Sequence, residues 1–315
     1  MNEKQIVFLT HMNRTGSTYL CNILDKYAKI SVGIEGNFPD NLFIKCTEIN
    51  NSESLKIYLD LLYIDKHFCD WNIDRNILET ELLKAYTYPI SFIDVIKTAL
   101  KLYFNTNISE IYIHKAGVYI MYVDQILQKY PNVKMIYIYR DPRAVYNSLK
   151  KSKDINNKKM AVRPFGMIDQ YKNYFVLEKK QRTNKNVHII KYENLILNIE
   201  DEINKLLFFL NVNDKILKIN SDKIYCEKIP KNQNHLHNNI SKKPMHSRIN
   251  AWKSELNNAE INYIQNNLRK EMNEYKYELI ETKLSIKDYI IYSKLLYYNF
   301  FLKLKSKIKK QNAKI

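Results

Sequence analysis

Residues 6–20 of this 315-residue chain read IVFLTHMNRTGSTYL, which is typical of a buried strand, a turn and the start of a helix. The first four residues are apolar and partly β-branched, as in the core strand of a parallel sheet. Gly16 lets the backbone approach a ligand closely, and Arg14 adds a positive charge. Hydroxyl groups at the predicted helix N-terminus come from Thr15, Ser17 and Thr18. Free N–H groups and the helix dipole favour a bound phosphate or sulfate there, although an ordinary turn with a capping serine is the alternative.

The same stretch departs from the nucleotide-binding loop G-x-x-x-x-G-K-[ST] in an informative way. Gly16 and Thr18 fit the second half of that pattern. His11 stands where the first glycine belongs, and Ser17 stands where the lysine belongs. Because that lysine holds the β- and γ-phosphates, its absence argues against a kinase or another NTPase and favours a smaller terminal anion.

Predicted strands and helices alternate along the first two thirds of the chain. The predicted strands cover residues 6–9, 30–34, 110–115, 133–139 and 187–191. Helices are predicted over 18–27, 118–130, 142–151, 165–182 and 199–210, and three more (54–66, 75–85 and 92–104) form a helical insertion at about 52–105. This order predicts an α/β fold, a parallel sheet flanked by helices that binds ligands at the carboxyl ends of its strands.

Polar residues follow the ends of several predicted strands. They are Arg14, Glu35, Lys115, Arg140 and Tyr192. Each one alone is also explained as surface charge, a cap or a rim residue. Because the carboxyl ends of parallel strands meet at one edge, their convergence indicates a ligand site.

Composition limits the class of protein without deciding it. The formal net charge of +17 suggests anionic partners, although AT-rich coding DNA would also enrich lysine. Four scattered cysteines, with no C-x-x-C, indicate reduced thiols, and we expect a cytoplasmic protein without a signal peptide. No segment has about 18 uncharged apolar residues in a row, so we expect no membrane span.

The last third is predicted to hold a lid and a basic tail. Residues 225–247 are polar and form a loop or lid, followed by helices at 247–256, with Ser247 as N-cap, and at 259–277. Residues 1–280 are thus expected to form the main domain. Residues 281–315 mix aromatic and aliphatic residues with lysines, which indicates a basic amphipathic helix that lies on an anionic membrane or docks on the domain.

Two motifs together resemble the sulfotransferase family, whose members use 3′-phosphoadenosine-5′-phosphosulfate as donor. R-T-G-S-T at residues 14–18 resembles the family's 5′-phosphosulfate loop, which implies that Arg14, Thr15, Gly16, Ser17 and Thr18 bind the donor. Y-R-D-P-R-A-V-Y-N-S-L at residues 139–149 resembles its 3′-phosphate motif, which implies that Arg140 and Ser148 bind that phosphate. The resemblance covers about residues 6–210, and less clearly 248–256. It implies a three-layer core similar to that of P-loop nucleotide kinases.

The resemblance also implies catalytic roles. Arg14 and Lys115 would stabilise the sulfuryl and leaving-group oxygens, although Lys115 stands in H-K-A-G rather than the more familiar K-x-P. Glu35, in G-I-E-G, occupies the position of the base in glycan- and tyrosine-directed relatives. His11 and His114 compete for that role, because cytosolic relatives use histidine.

Two later segments resemble donor contacts. Tyr192 in K-Y-E-N-L matches the tyrosine that contacts adenine, with core packing as the alternative. Arg248 and Trp252 resemble a late basic–tryptophan segment that closes over the donor, and Lys243 could share that role. No metal is required.

We therefore expect a cytoplasmic sulfotransferase that moves a sulfuryl group to a hydroxyl, on a glycan or glycolipid. Peripheral contact with the inner face of the membrane through the tail is a further expectation. The alternatives are a nucleotide-dependent phosphotransferase and a basic membrane- or nucleic-acid-binding protein without catalysis. The chain has no recognisable nucleic-acid module, so we expect no nucleic acid partner.

Overall fold

The computed structural model describes residues 4–36, 48–104, 109–153, 158–212, 225–228 and 246–312. The chain divides into two compact units. The first contains residues 1–139 and 177–243, and the second contains residues 140–176 and 244–315. The predicted boundary at residue 280 stays a prediction.

The first unit is built on a parallel five-stranded sheet with the order β2-β3-β1-β4-β5. The strands are β1 (Gln5–His11), β2 (Ile30–Val32), β3 (Ile111–Lys115), β4 (Lys134–Tyr139) and β5 (Val187–Lys191). β1 is the central strand, and its residues from Ile6 to His11 are buried. The predicted α/β fold with a parallel sheet and flanking helices is confirmed, because the apolar runs form its strands and most of their residues are buried.

Helices of the first unit connect these strands. They are α1 (Ser17–Leu24), α2 (Ser52–Ile64), α3 (Lys66–Cys69), α4 (Arg75–Ala85), α5 (Phe92–Phe104), α6 (Val123–Lys129), α9 (Tyr192–Leu197), α10 (Ile199–Phe209) and α11 (Tyr225–Lys228). The helices α2 to α5 occupy the predicted insertion between β2 and β3. The prediction of one helix over 118–130 is wrong, because a 3-10 helix, Gly117–Tyr122, precedes α6. Its turn is tied to β1 by the Thr10 hydroxyl, which donates to the carbonyl of Gly117 and accepts from the amide of Ile120.

The second unit is helical. It contains α7 (Pro142–Lys151), most of α8 (Phe165–Gln181), a 3-10 helix (His246–Arg248), α12 (Trp252–Glu255), α13 (Asn258–Asn267), α14 (Arg269–Glu274) and α15 (Ile286–Asn312). The prediction of one helix over 247–256 is wrong. Ser247 lies inside the 3-10 helix and is not an N-cap, and α12 has only four residues.

The predicted helix over 259–277 is also divided. Asn257 and Glu260 form a capping box that starts α13, and the chain leaves helical geometry at Leu268 before α14 begins. The Asn-x-x-Glu pattern at residues 257–260 thus marks the start of α13, which the apolar spacing alone does not. Leu268 is fully buried, so the break lies inside the packed part of this unit.

The long final helix α15 packs one side against α13. Leu295 is buried, and the amide of Asn266 donates to the Tyr292 hydroxyl at 3.1 Å. Much of its apolar surface is exposed, including Ile286, Tyr289, Ile290, Leu296, Tyr297, Tyr298, Phe300, Phe301, Leu302 and Leu304. Among the described residues, no helix is both long enough and apolar enough to cross a membrane.

Candidate active site

The loop between β1 and α1 has a backbone that is open for an anion. Gly16 is the N-cap of α1, with φ of 95°, and no side chain caps the helix there. The predicted capping serine is therefore wrong, because Ser17 is the first residue of the helix. The hydroxyl of Thr15 donates to the Met12 carbonyl at 2.8 Å and closes the turn, while Arg14 adopts φ of 69°. Helix N–H groups without a side-chain cap suit an anionic ligand.

Tyr192 forms a wall of this loop. It is the first residue of α9 and is largely buried. A Cβ atom built on Gly16 would lie 2.4 Å from Cδ2 of the Tyr192 ring. Position 16 therefore needs glycine for two reasons, its positive φ and the aromatic ring against its backbone.

Three neighbouring strands bring Glu35, Lys115 and His11 to one edge of the sheet. Lys115 ends β3 opposite Leu9 of β1, and parallel partners point to the same face. His11, two residues beyond Leu9, therefore shares the face of Lys115. The amide of Gly36 donates to the Lys115 carbonyl at 3.2 Å, which holds the loop after β2 against β3.

The side chains of this cluster are in contact. Nζ of Lys115 lies 2.9 Å from Oε2 of Glu35 and donates to the Thr18 hydroxyl at 3.1 Å. Nε2 of His11 lies 3.4 Å from Oε1 of Glu35. The Lys115 side chain is 2% exposed and that of Glu35 is 28% exposed. The predicted base and the predicted leaving-group lysine thus meet beside a hydroxyl of the predicted anion loop.

The charge state of Glu35 follows from this setting. Burial raises the pKa of its carboxyl group, but the contacts with Lys115, foremost its positive charge, and with His11 outweigh burial. The pKa is held well below its usual value, so Glu35 is a carboxylate at neutral pH. A base must begin in its deprotonated form, and Glu35 meets that requirement.

His114 lies away from this cluster. It pairs with Phe8 in the β1–β3 ladder, and its imidazole contacts the rings of Phe8, Trp71 and Tyr119. Its Nδ1 is hydrogen-bonded to the Tyr119 hydroxyl. Burial lowers its pKa to about 3. These contacts belong to a core histidine and disfavour His114 as the base.

The short helix α11 adds two residues that the sequence patterns did not single out. The hydroxyl of Tyr225 donates to the Gly33 carbonyl at 3.2 Å, and its ring lies 5.9 Å from Nζ of Lys115. Nζ of Lys228 lies 2.6 Å from a carboxylate oxygen of Asp25, which is fully buried. These contacts fix α11 beside the cluster. The rest of the predicted lid at 225–247, apart from residues 246 and 247, lies outside the described residues, and so does Lys243.

The second unit gathers the residues of the other predicted motif. Arg140, directly after β4, donates from Nη2 to the Arg248 carbonyl at 3.0 Å. The Arg248 guanidinium lies 3.3 Å from Glu255, which also accepts from Asn147, the neighbour of Ser148 on α7. Two predicted donor-binding arginines are thus adjacent, and Ser148 lies on the helix that follows.

A buried arginine, which the sequence analysis did not propose as a site residue, follows Arg140 in the same sequence motif. Arg143 is 2% exposed and grips the Asp141 carboxylate with two nitrogens, at 3.0 and 2.7 Å. It also donates to Gln265 at 2.7 Å and stacks 3.8 Å from the Trp252 ring centroid. Asp141 in turn caps α7 by accepting from the Arg143 amide. The place of Arg143 as the second arginine of R-D-P-R was the one sequence feature that could have indicated this role.

Among the described residues, no group of three or more His, Cys, Asp or Glu side chains could hold a metal ion. The strand-end clusters offer cationic and hydroxyl groups instead. Such groups bind oxyanions rather than metal ions.

Comparisons with known proteins agree with the motifs. The sequence model of the sulfotransferase family matches residues 6–215. No curated protein matches the chain significantly. The sulfotransferase domain of the Synechococcus PCC 7002 olefin synthase is similar in structure, with a TM-score of 0.55, 14% identity, and coverage of 89% of this chain and 97% of that chain. The sulfotransferase domain from the curacin biosynthetic pathway has a TM-score of 0.53, 17% identity, and coverage of 89% and 99%.

These two structural likenesses show the fold, and the sequence match over most of the chain shows the family. The P-loop-like core that the motifs predicted is thereby confirmed. The chain belongs to the sulfotransferase family, enzymes that take a sulfuryl group from 3′-phosphoadenosine-5′-phosphosulfate.

Proposed function

We propose that this protein transfers the sulfuryl group to a hydroxyl of a glycan or glycolipid, with Glu35 as the base. The observation that carries the proposal is the contact of Lys115 with both the Glu35 carboxylate and the Thr18 hydroxyl. It links the candidate base to the loop that would hold the phosphosulfate. The glycan preference rests on the motif resemblance, which implies that Glu35 occupies the position of the base in glycan-directed relatives.

The donor needs two anion sites, and we propose one residue group for each. Residues 14–18 would bind the phosphosulfate end, through α1 N–H groups and the Arg14 side chain. Arg140, Ser148 and Arg248 would bind the 3′-phosphate, since guanidinium groups recognise such oxyanions through paired hydrogen bonds. Tyr192 would contact the adenine, and its position against Gly16 is compatible with that role.

Transfer needs in-line displacement at sulfur. The acceptor oxygen bonds to sulfur while the bond from sulfur to the 5′-phosphate oxygen breaks, and that oxygen keeps the electron pair. Lys115 and Arg14 would stabilise the charge that develops on these oxygens. Glu35 would take the proton of the acceptor hydroxyl.

A transfer assay with ³⁵S-labelled donor tests the acceptor class. The panel should include oligosaccharides, glycolipids and simple phenols, each with parent protein and Glu35→Gln. We expect label in an oligosaccharide or glycolipid with the parent and a loss on the order of 100-fold with the variant. Labelling of phenols alone would contradict the glycan preference while leaving sulfuryl transfer intact.

The tail supports a second, separate proposal, a peripheral contact with anionic membrane on the cytoplasmic side. The exposed aromatic and aliphatic residues of α15 share that helix with lysines, a combination that favours anionic lipid surfaces. Sedimentation with phosphatidylglycerol vesicles should show binding that phosphatidylcholine vesicles do not. Phe300→Ser should weaken it, and Phe208→Ser, a change at an even more exposed phenylalanine on α10, should not. Equal binding to both lipids would contradict the proposal.

A further inference from the structure

The ring of His11 has a defined arrangement of donor and acceptor nitrogens. Its Nδ1 lies 3.0 Å from the Met12 carbonyl oxygen. A carbonyl oxygen only accepts, so Nδ1 carries the hydrogen. In the neutral ring, Nε2 then holds a lone pair. That atom is buried, has no hydrogen-bond partner within the described residues, and lies 3.4 Å from Oε1 of Glu35.

The two oxygens of Glu35 therefore face different partners. Oε1 faces the lone-pair nitrogen of His11, and Oε2 faces the ammonium group of Lys115 at 2.9 Å. If Glu35 kept a proton taken from the acceptor, Lys115 would lose its counter-charge in a site where it is 2% exposed. Leaving a buried charge without its partner is costly. A proton that moves on to His11 leaves the carboxylate paired with Lys115.

We propose that His11 and Glu35 act as one proton-accepting unit, in which Glu35 takes the proton of the acceptor hydroxyl and passes it to Nε2 of His11. This inference rests on the proposed function. As the bond between acceptor oxygen and sulfur forms, the leaving 5′-phosphate oxygen keeps its electron pair. The proton ends on the imidazole, and Glu35 remains a carboxylate. His11 acts through Glu35 and is a positioning and proton-holding residue.

The surrounding titratable groups leave His11 as the place for this proton. Burial raises the pKa of Cys21 to about 12 and that of Tyr225 well above its usual value, and burial lowers that of His114 to about 3. All three are therefore uncharged at neutral pH. Asp25, also near, is paired with Lys228. The pKa of the Glu35 carboxyl group is lowered, so Glu35 holds a proton poorly. This agrees with a proton that moves on from Glu35 to His11.

The hydrogen position can be measured without any acceptor. ¹⁵N NMR of histidine-labelled protein distinguishes the two neutral tautomers, and the His11 signals are assigned by their absence in His11→Asn or through the backbone. We expect neutral His11 with its hydrogen on Nδ1. A neutral ring with hydrogen on Nε2 would overturn the proposal, since that nitrogen could not accept a proton.

Kinetics of His11→Asn test the role in transfer. Asn retains an N–H donor for the Met12 carbonyl and lacks the second ring nitrogen. We expect kcat to fall on the order of 100-fold, with unchanged affinity for 3′,5′-adenosine bisphosphate. The acid limb of the pH–rate profile should differ from that of the parent, because the variant lacks one of the two groups that accept the proton.

The control is His188→Asn on β5, whose ring stacks on Phe209. It should leave the rate and the pH profile as in the parent. A His11→Asn variant with the parental acid limb would overturn the proton-holding role and leave sulfuryl transfer standing. Failure of the parent to bind 3′,5′-adenosine bisphosphate would instead refute the proposed function.

Discussion

Replacing Gly16 by alanine tests how the anion loop is built. The added Cβ would lie 2.4 and 2.5 Å from two carbons of the Tyr192 ring, so the ring must withdraw by roughly half an ångström to reach even 3.0 Å. The backbone φ of 95° is a second obstacle, because alanine adopts this region at a cost of about 1–2 kcal/mol. Overpacking of this kind costs about 1–3 kcal/mol. Gly16→Ala should therefore lower the free energy of unfolding by about 2–5 kcal/mol.

The chain offers a matched control in Gly166→Ala. Gly166 lies in α8, and a Cβ built there meets nothing within 4 Å. Because glycine costs about 0.5–1 kcal/mol in a helix, this change should be neutral or slightly stabilising. Urea denaturation of both variants measures the difference. Adding Tyr192→Leu to Gly16→Ala should recover the steric part of the loss and leave the part due to φ.

The loop should also lose its ligand. Displacement of the backbone N–H groups should weaken binding of 3′,5′-adenosine bisphosphate about 10-fold or more, since a hydrogen bond to a charged group contributes about 1.5–3 kcal/mol. Equal stability of Gly16→Ala and Gly166→Ala would refute this role of Gly16. Equal affinity of the two variants for the bisphosphate would refute it as well.

Two further changes test the first unit. Lys228→Met should destabilise the protein by about 3 kcal/mol, because it leaves the fully buried Asp25 carboxylate without its cation. Lys205→Met, which removes an ammonium group on a side chain that is 63% exposed, should cost much less, and equal losses in urea would contradict the buried-pair argument. The pKa of the Glu35 carboxyl group is lowered in the folded state. The carboxylate therefore stabilises the fold at pH values above the unfolded pKa of about 4.3, and this stabilisation is lost as the pH falls through the folded pKa. Below pH 5, the parent should therefore lose stability more steeply than Glu35→Gln, and parallel curves would argue against this ion pair.

The sequence predicted the sheet because its strands are short apolar runs, and most of their residues are buried. It also predicted the cluster of Glu35 and Lys115, since both follow strand ends and parallel strands converge there. His11 could have been placed in the same cluster by the two-residue alternation of β1, had the strand register been known. The same alternation within β3 places His114 on the face opposite to its neighbour Lys115, which the structure shows.

Other features depend on contacts that no local pattern carries. Lys228 meets Asp25 across 203 positions of the sequence, and the hydroxyl of Tyr225 reaches Gly33 from a similar separation. The division between α13 and α14 occurs at a buried leucine that fits the apolar spacing of a continuous helix. Tertiary packing decides such positions, and propensity alone does not.

The most direct test of the central claim is a calorimetric titration of 3′,5′-adenosine bisphosphate into the parent protein, Arg14→Ala and Arg140→Ala. Arg75→Ala, at a surface pair on α4, serves as the control. We predict that the parent and the control bind alike, and that each of the other two variants binds about 10- to 100-fold more weakly. Absence of binding by the parent, or equal affinity in all four proteins, would contradict the assignment of these arginines to a sulfuryl-donor site.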